Sequence, residues 1–263
     1  MRKYLKAISE AQNSVMGINR RNIEFIYPNN SRKDYIMADD KALCKTLLDQ
    51  DGIPVPRTFL VIEHLWDLEN KLNDLEELEN FVVKPAMGSG GNGILILKKQ
   101  TGGWTGPDGK TFDRERLKMH LAGILYGAYS NDHADKAILE ERLVPHPFFS
   151  RIYDRGIPDV RIIVHHHVPV MAMLRIPTRS SKGKANLHQG ALGIGIGMET
   201  GKLGIGVFRQ KRIEAHPDSG FHSRDSIHFL CGDGHVVQRY GGMVDLRETH
   251  HVVLARTGGF RDR

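Results

Sequence analysis

The chain has 263 residues, with 37 basic and 31 acidic side chains, 40% hydrophobic residues and two cysteines. That composition fits one large or two small globular domains able to bury a core unaided, and it excludes disordered, fibrous and disulfide-framed classes. Cys44 and Cys231 form no CxxC pair, apolar runs such as 168–174 fall far short of the roughly 20 residues of a membrane span, and no apolar stretch follows Met1-Arg2-Lys3. A soluble, cytoplasmic protein is expected.

In chain order, Asp39 or Asp40 caps a helix through Leu43, Leu47 and Leu48, which Gly52, Pro54 and Pro56 bring to an end. Residues 58–62 read as a strand. A second helix carries Leu65, Trp66, Leu68, Leu72, Leu75 and Leu78 at helical spacing under an acidic face. Residues 81–84 are predicted as a strand, 87–93 as a glycine loop and 94–98 as the next strand, with Pro107-Asp108-Gly109 turning between short strands. Asp113 caps a helix through Leu117, Leu121 and Leu125. Strands follow at 137–141, 160–165 and 168–176, the last two as a hairpin. Residues 177–187 form a polar basic loop, and 190–206 holds seven glycines among apolar residues. Helices mixed with antiparallel strands argue an α+β fold.

Charge is unevenly spread. Residues 63–80 hold seven acids and one lysine, whereas 142–216 hold twelve lysines or arginines and four acids. A basic half beside an acidic helix suggests an anionic ligand held in one place, the alternative being two solvated faces. The chain also changes character late. No lysine follows Lys211 and no asparagine follows Asn186, although 221–263 keep six arginines and five histidines.

Gly88-Ser89-Gly90-Gly91-Asn92-Gly93 satisfies GxGxxG, but a strand follows it, whereas a dinucleotide fold requires those glycines to open a helix. A glycine hairpin between strands can instead fold over nucleotide phosphates, because N–H groups without side chains approach the oxygens closely. Lys84, on the strand that leads into the loop, sets an ammonium beside the same phosphates. Kinase HRD and DFG motifs are absent. The alternative is a glycine-rich β-turn with a surface lysine.

Several ordered motifs together resemble the ATP-grasp superfamily: Asp40-Lys41, then Gly52-Ile53-Pro54-Val55-Pro56-Arg57-Thr58, then Phe81-Val82-Val83-Lys84-Pro85-Ala86 before the glycine loop. Within it, Asn19-Arg20-Arg21-Asn22, Leu139-Glu140-Glu141, Asp159-Val160-Arg161, Met171-Ala172-Met173-Leu174-Arg175 and Asn186-Leu187-His188-Gln189-Gly190 resemble the alpha-L-glutamate ligase branch. The resemblance covers about residues 17–220. It implies an ATP-grasp region at 37–220, with an N-terminal segment at 1–36 and an atypical tail at 221–263. It also implies two lobes that clamp ATP, and a carboxylate activated as an acyl phosphate for attack by an amine. Lys41 and Lys84 would contact the ATP phosphates, and residues 88–93 would be the lid. Glu140 and Glu141 would lie on the hinge strand beside adenine and ribose. Arg161 and Arg175 would stabilise charge on the transferring group, a role suited to a planar guanidinium. Asn186 and His188 would line the acceptor side. The partners implied are ATP, a carboxylate-bearing small molecule or peptide, and an amine or amino acid. For the arginines taken singly the alternative is a surface salt bridge, and for Asn186 a capping role.

Phosphoryl transfer also calls for Mg²⁺, and here the sequence departs from the family. The superfamily supplies an aspartate followed by a Glu-x-Asn pair. No asparagine follows Asn186, and Asp245 in Met243-Val244-Asp245-Leu246 is the one candidate relic. The C-terminal lobe is therefore expected to be incomplete, with residues from about 221 reading as a frameshifted or truncated end. An inactive ATP-binding protein is the alternative function. His165-His166-His167 invites a metal reading, but a hairpin turn explains it better, since no third ligand is indicated. A nucleic-acid partner is disfavoured, because the basic stretch is poor in aromatics and carries no RNA-binding motif.

Overall fold

The structure is a computed structural model that describes residues 16–145 and 147–222, without the side chain of Phe148, and the backbone of 227–229, 236–239 and 242–245. It begins with a helical run that sequence patterning did not assign: α1 (Ile18–Arg21), a π turn (Asn22–Ile26) and α2 (Tyr27–Asn29). No residue of that run is buried, so it lacks the apolar stripe by which periodicity detects a helix. After α3 (Ile36–Asp39), the Asp40 carboxylate accepts from the N–H groups of Ala42 and Leu43 and caps α4 (Lys41–Gln50).

Alternation then builds an antiparallel six-stranded sheet from β1 (Thr58–Ile62), β2 (Asn80–Pro85), β3 (Leu95–Gln100), β4 (Gly103–Thr105), β5 (Thr111–Phe112) and β6 (Ala137–Glu141), in the order β1-β6-β2-β3-β4-β5. Phe81, Val83, Leu97, Ala137 and Leu139 point to one face, where α5 (Leu68–Leu75) and α6 (Arg114–Leu125) add Leu68, Leu72, Leu75, Leu117, Leu121 and Ile124 to a dry core. Burial of one such side chain stabilises by roughly 1.5–3 kcal/mol, so this face fixes the register of the strands. The opposite face carries Val82, Lys84, Ile138 and Glu140 from the paired strands β2 and β6. The acidic helix predicted from Leu65 to Leu78 is shorter: Leu65–Asp67 is a 3₁₀ turn, and Trp66 lies outside the apolar stripe, 77% exposed and stacked on His64.

Helix α7 (Pro147–Ile152) leads to a second antiparallel sheet, β7 (Asp159–His165), β8 (Val168–Ile176), β9 (Leu192–Ile196), β10 (Leu203–Phe208) and β11 (Lys211–Ile213), in the order β11-β10-β9-β8-β7. His166 and His167 make its first turn with φ of 46° and 66°, the left-handed pair of a tight two-residue hairpin, while His165 packs edge-on to Phe25. Leu174, Ile176, Leu192 and Ile194 form a second core with Ile152 and Tyr153. The glycine-rich stretch at 190–206 is two strands, β9 and β10. Gly193 and Gly195 stand opposite Arg175 and Met173; the Leu187 side chain covers Gly193, where a Cβ would stand 2.8 Å from it, and Gly195 leaves its place on that row open. The chain's described backbone ends in a three-stranded sheet of β12 (Ile227–Phe229), β13 (Val236–Arg239) and β14 (Gly242–Asp245). The fold is thus α+β with antiparallel sheets, as expected. No described helix is long and apolar enough to cross a membrane.

Candidate functional site

Lys84 leaves β2 near its C-terminal end on the face away from the first core, and Glu140 leaves β6 on the same face. One Glu140 oxygen meets Lys84 Nζ at 2.5 Å and the other meets Lys45 Nζ at 2.6 Å, with the Glu140 side chain only 7% exposed. Lys45 follows Lys41 by one helical turn on α4, so both ammonium groups face the sheet. Lys41 Nζ donates to the carbonyls of Ala86 and Gly88. Burial lowers the Lys84 pKa, which the Glu140 carboxylate opposes. Burial, then the neighbouring charge of Lys84, lowers that of Lys41. Two ammonium groups thus share one carboxylate, and the third, that of Lys41, is held by backbone carbonyls at the base of the glycine loop.

That loop is anchored at both ends. At the start, the buried Asp135 carboxylate accepts the Met87 N–H at 3.0 and 3.1 Å, and also the Ser130 hydroxyl and the Lys136 N–H. At the far end, His120 Nε2 lies 2.9 Å from the Gly93 carbonyl, while the Tyr129 hydroxyl meets His120 Nδ1 at 3.3 Å. The neutral tautomer with the proton on Nε2 satisfies both contacts. A Cβ on Gly93 would stand 2.6 Å from the Tyr129 ring, at a φ of +74°. Gly93→Ala is therefore expected to cost more than the roughly 1–2 kcal/mol of the left-handed conformation alone. Gly52→Ala, with φ +71° and open space, isolates that conformational cost. Equal losses for the two variants in urea unfolding would show that Tyr129 does not enforce the glycine.

The second sheet supplies arginines to the face that carries Gly193 and Gly195. Arg175 lies across from Asp159 and pairs with it through two donors, Nε at 2.6 Å and a terminal nitrogen. Arg161, two residues along the same strand face, is exposed and has no ion-pair partner among the described residues. The loop at 177–190 then crosses to the glycine loop: Lys184 Nζ and Gln189 Nε2 both donate to the Gly90 carbonyl, at 3.3 and 3.2 Å. Asn186 caps the short turn Leu187–Gln189 by accepting the His188 N–H, and His188 itself is exposed. Glu141 accepts the Arg57 N–H at 2.8 Å and does not join the lysine cluster. Asp245 ends β14, and its side chain lies outside the described residues, as does most of the tail read as atypical.

A family model described as sugar-transfer associated ATP-grasp matches residues 20–227, well over half of the chain. The chain belongs to this family. The ATP-grasp resemblance is upheld, with the sugar-transfer associated model as the one that matches; the alpha-L-glutamate ligase branch is not confirmed. No curated protein matches at a significant level. Among solved structures, a D-cycloserine synthetase, DcsG, is 19% identical over 54% of this chain and 40% of its own, with a TM-score of 0.33. A bifunctional glutathione synthetase from Pasteurella multocida is 18% identical over 57% of this chain and 16% of its own, with a TM-score of 0.27. The chain thus spans less than half the length of either.

In this ATP-grasp chain, Lys45, Asp135, His120 and Tyr129 join the candidate site by their contacts, and sequence reading did not single them out. Lys45 was open to detection, since Lys41 and Lys45 share one face of a capped helix. The other three reach the loop through contacts 27 to 48 residues distant in sequence, which no local spacing signals. Among the described residues no group of three or more His, Cys, Asp or Glu is gathered for a metal ion. Burial lowers the His120 pKa below 6.5, so the unfolded chain binds more protons just below that pH. Stability is then expected to fall as pH drops through 6.5 towards the folded-state value. Thermal melts across that window should show a smaller fall for His120→Asn. His216, lowered in the same direction, adds slope of the same sign.

Proposed function

We propose that this protein is an ATP-dependent ligase of the carboxylate-amine type. The observation that carries the reading is the pairing of Lys45 and Lys84 on Glu140, with Lys41 beside Lys84 at the base of an anchored glycine loop. This donor set fits a triphosphate: point charges on three stems, one carboxylate to align two of them, and a loop of exposed N–H groups. Bound ATP would supply its γ-phosphoryl group to a substrate carboxylate, giving an acyl phosphate and ADP, and an amine would then displace phosphate to form an amide. Lys41 and Lys84 hold the phosphates, and residues 88–93 exclude water over them. Glu140 keeps Lys84 charged against its burial, while the backbone of Glu140 and Glu141 borders the base and ribose. Arg161 and Arg175 stabilise charge on the transferring group, and Asn186 and His188 border the acceptor. Asp245 would be one ligand of Mg²⁺, which would supply neutralisation of the triphosphate charge. The alpha-L-glutamate ligase-like character, an ATP-grasp region at 37–220 and a cytoplasmic location belong to the same proposal.

Incubation with ATP, Mg²⁺ and candidate carboxylates and amines tests it. ADP release above background that Lys84→Ala abolishes supports the ligase. A second reading, ATP binding without turnover, is favoured by the sequence after Asn186, which offers no asparagine for a Glu-x-Asn pair. Tight ATP binding with no ADP under every acceptor tried supports that reading instead.

A further inference from the structure

The loop at 177–190 touches two places. On one side Lys184 and Gln189 hold the glycine loop at Gly90. On the other, Arg179 lines a cavity of about 310 Å³ with Arg151, Tyr153, Arg155, Asp218 and Ser219. That volume suits a small polar molecule.

The walls are tied together by buried polar contacts. His216, 2% exposed, donates from Nε2 to the Pro177 carbonyl at 2.9 Å, and its Nδ1 accepts the N–H groups of Asp218 and Ser219 at 3.3 and 3.2 Å. Burial holds that imidazole neutral, as the two acceptances at Nδ1 require. The Tyr153 ring packs 5.2 Å from it. Asp218 Oδ2 accepts the backbone N–H of Arg179 at 2.6 Å, which pins the arginine's stem at the rim. At Gly156 the backbone runs so close to Gly183 that a Cβ would stand 2.3 Å from its carbonyl oxygen, joining the segment of Arg155 to the loop of Arg179.

Arg155 and Arg179 line the cavity together with Asp154 and Asp218, yet neither arginine makes an ion pair among the described residues. Two guanidinium forks without ion-pair partners stand beside the hydroxyls of Tyr153, Ser150 and Ser219, a set of donors suited to an oxyanion. We infer that this cavity binds the oxyanion group of a small molecule, a carboxylate or a phosphate, at a site separate from the triphosphate cradle. Its ligand abuts the loop that holds the lid, so the site bears on the nucleotide through Lys184 and Gln189. The inference goes beyond the ligase reading and does not require turnover.

Calorimetric titration of the full chain with sodium phosphate and, separately, sodium succinate tests it, against sodium chloride at equal ionic strength. Saturable binding of either anion is expected in the Lys84→Ala protein as well, where the triphosphate cradle is impaired. The double variant Arg155→Gln, Arg179→Gln should weaken it by roughly tenfold or more while leaving ATP affinity within about twofold. Binding of phosphate alone assigns a phosphate ester, and of succinate alone a carboxylate. Should the double variant fail to fold, Ser219→Asp keeps both arginines, adds a carboxylate and should weaken binding similarly. Binding no stronger than chloride overturns the inference, as does binding that survives these variants or disappears with Lys84→Ala. Loss of ATP binding with the anion site intact would overturn the ligase reading alone.

Discussion

Glu140→Gln is expected to destabilise the protein by about 3–5 kcal/mol, more than removal of either lysine that it binds. The two Glu140 oxygens meet Lys45 and Lys84 at 2.6 and 2.5 Å, and those side chains are only 12% and 17% exposed. Taking away the carboxylate leaves two nearly buried ammonium groups facing each other with nothing between them. Lys84→Met, by contrast, leaves a neutral pair of Glu140 and Lys45 beside an apolar chain of similar length, so its stability should lie within about 1 kcal/mol of wild type. Its ATP affinity or turnover should nevertheless fall about 10²–10³-fold, because a charged donor to phosphate is gone. Urea unfolding and ATP titration on the two variants therefore give opposite orders. A Lys84→Met protein as unstable as Glu140→Gln would mean that Lys84 is chiefly structural.

The same cluster predicts an alkaline limit. Burial sets the folded-state pKa of Lys84 below 10.5, so between that pKa and 10.5 the unfolded chain binds more protons and stability rises with pH. Nucleotide binding moves the other way in that window, since it needs the ammonium. Glu140 is what holds the Lys84 pKa up, so Glu140→Gln should bring the alkaline loss of ATP binding to lower pH. A purely structural role for Glu140 would not move that midpoint.

Much of this cluster was legible in the sequence because its members lie on regular elements. A strand that alternates Phe81, Val83 inward and Val82, Lys84 outward tells where Lys84 points once the core face is known. Asp40 at a cap announced α4, and with it Lys41. The first helical run failed to show because its apolar residues, Ile18 and Ile23 among them, are exposed and carry no stripe. The stretch at 190–206 failed for a different reason: glycine has no strand preference of its own. Only the register beside Arg175 and Met173 shows that Gly193 and Gly195 are strand positions, the first lying under the Leu187 side chain and the second open. The anchors of the glycine loop, Asp135 and His120, come from elements whose packing against it is a tertiary event.

The two arginines of the second sheet should separate in the same way as Glu140 and Lys84. Arg175 and Asp159 bind each other on paired strands with side chains 15% and 23% exposed, and Arg175→Gln leaves that carboxylate half-covered and alone. Its expected cost is about 1–3 kcal/mol of stability on top of any loss of activity. Arg161 shares the face, stands opposite Met173 and has no ion-pair partner among the described residues, so Arg161→Gln should leave thermal stability within about 0.5 kcal/mol. If it meets the transferring phosphoryl group, ADP release should still fall about 10²-fold or more through kcat, with little change in ATP affinity. Normal kcat in Arg161→Gln would remove this arginine from the machinery and leave Arg175 to carry that charge while it remains tied to Asp159. A ligand would then have to share a guanidinium with a strand-bound carboxylate. Such sharing lowers the positive charge presented, so Asp159→Asn, which frees Arg175, would then raise ADP release, whereas with Arg161 as the principal group the same change would lower stability and leave turnover near wild type.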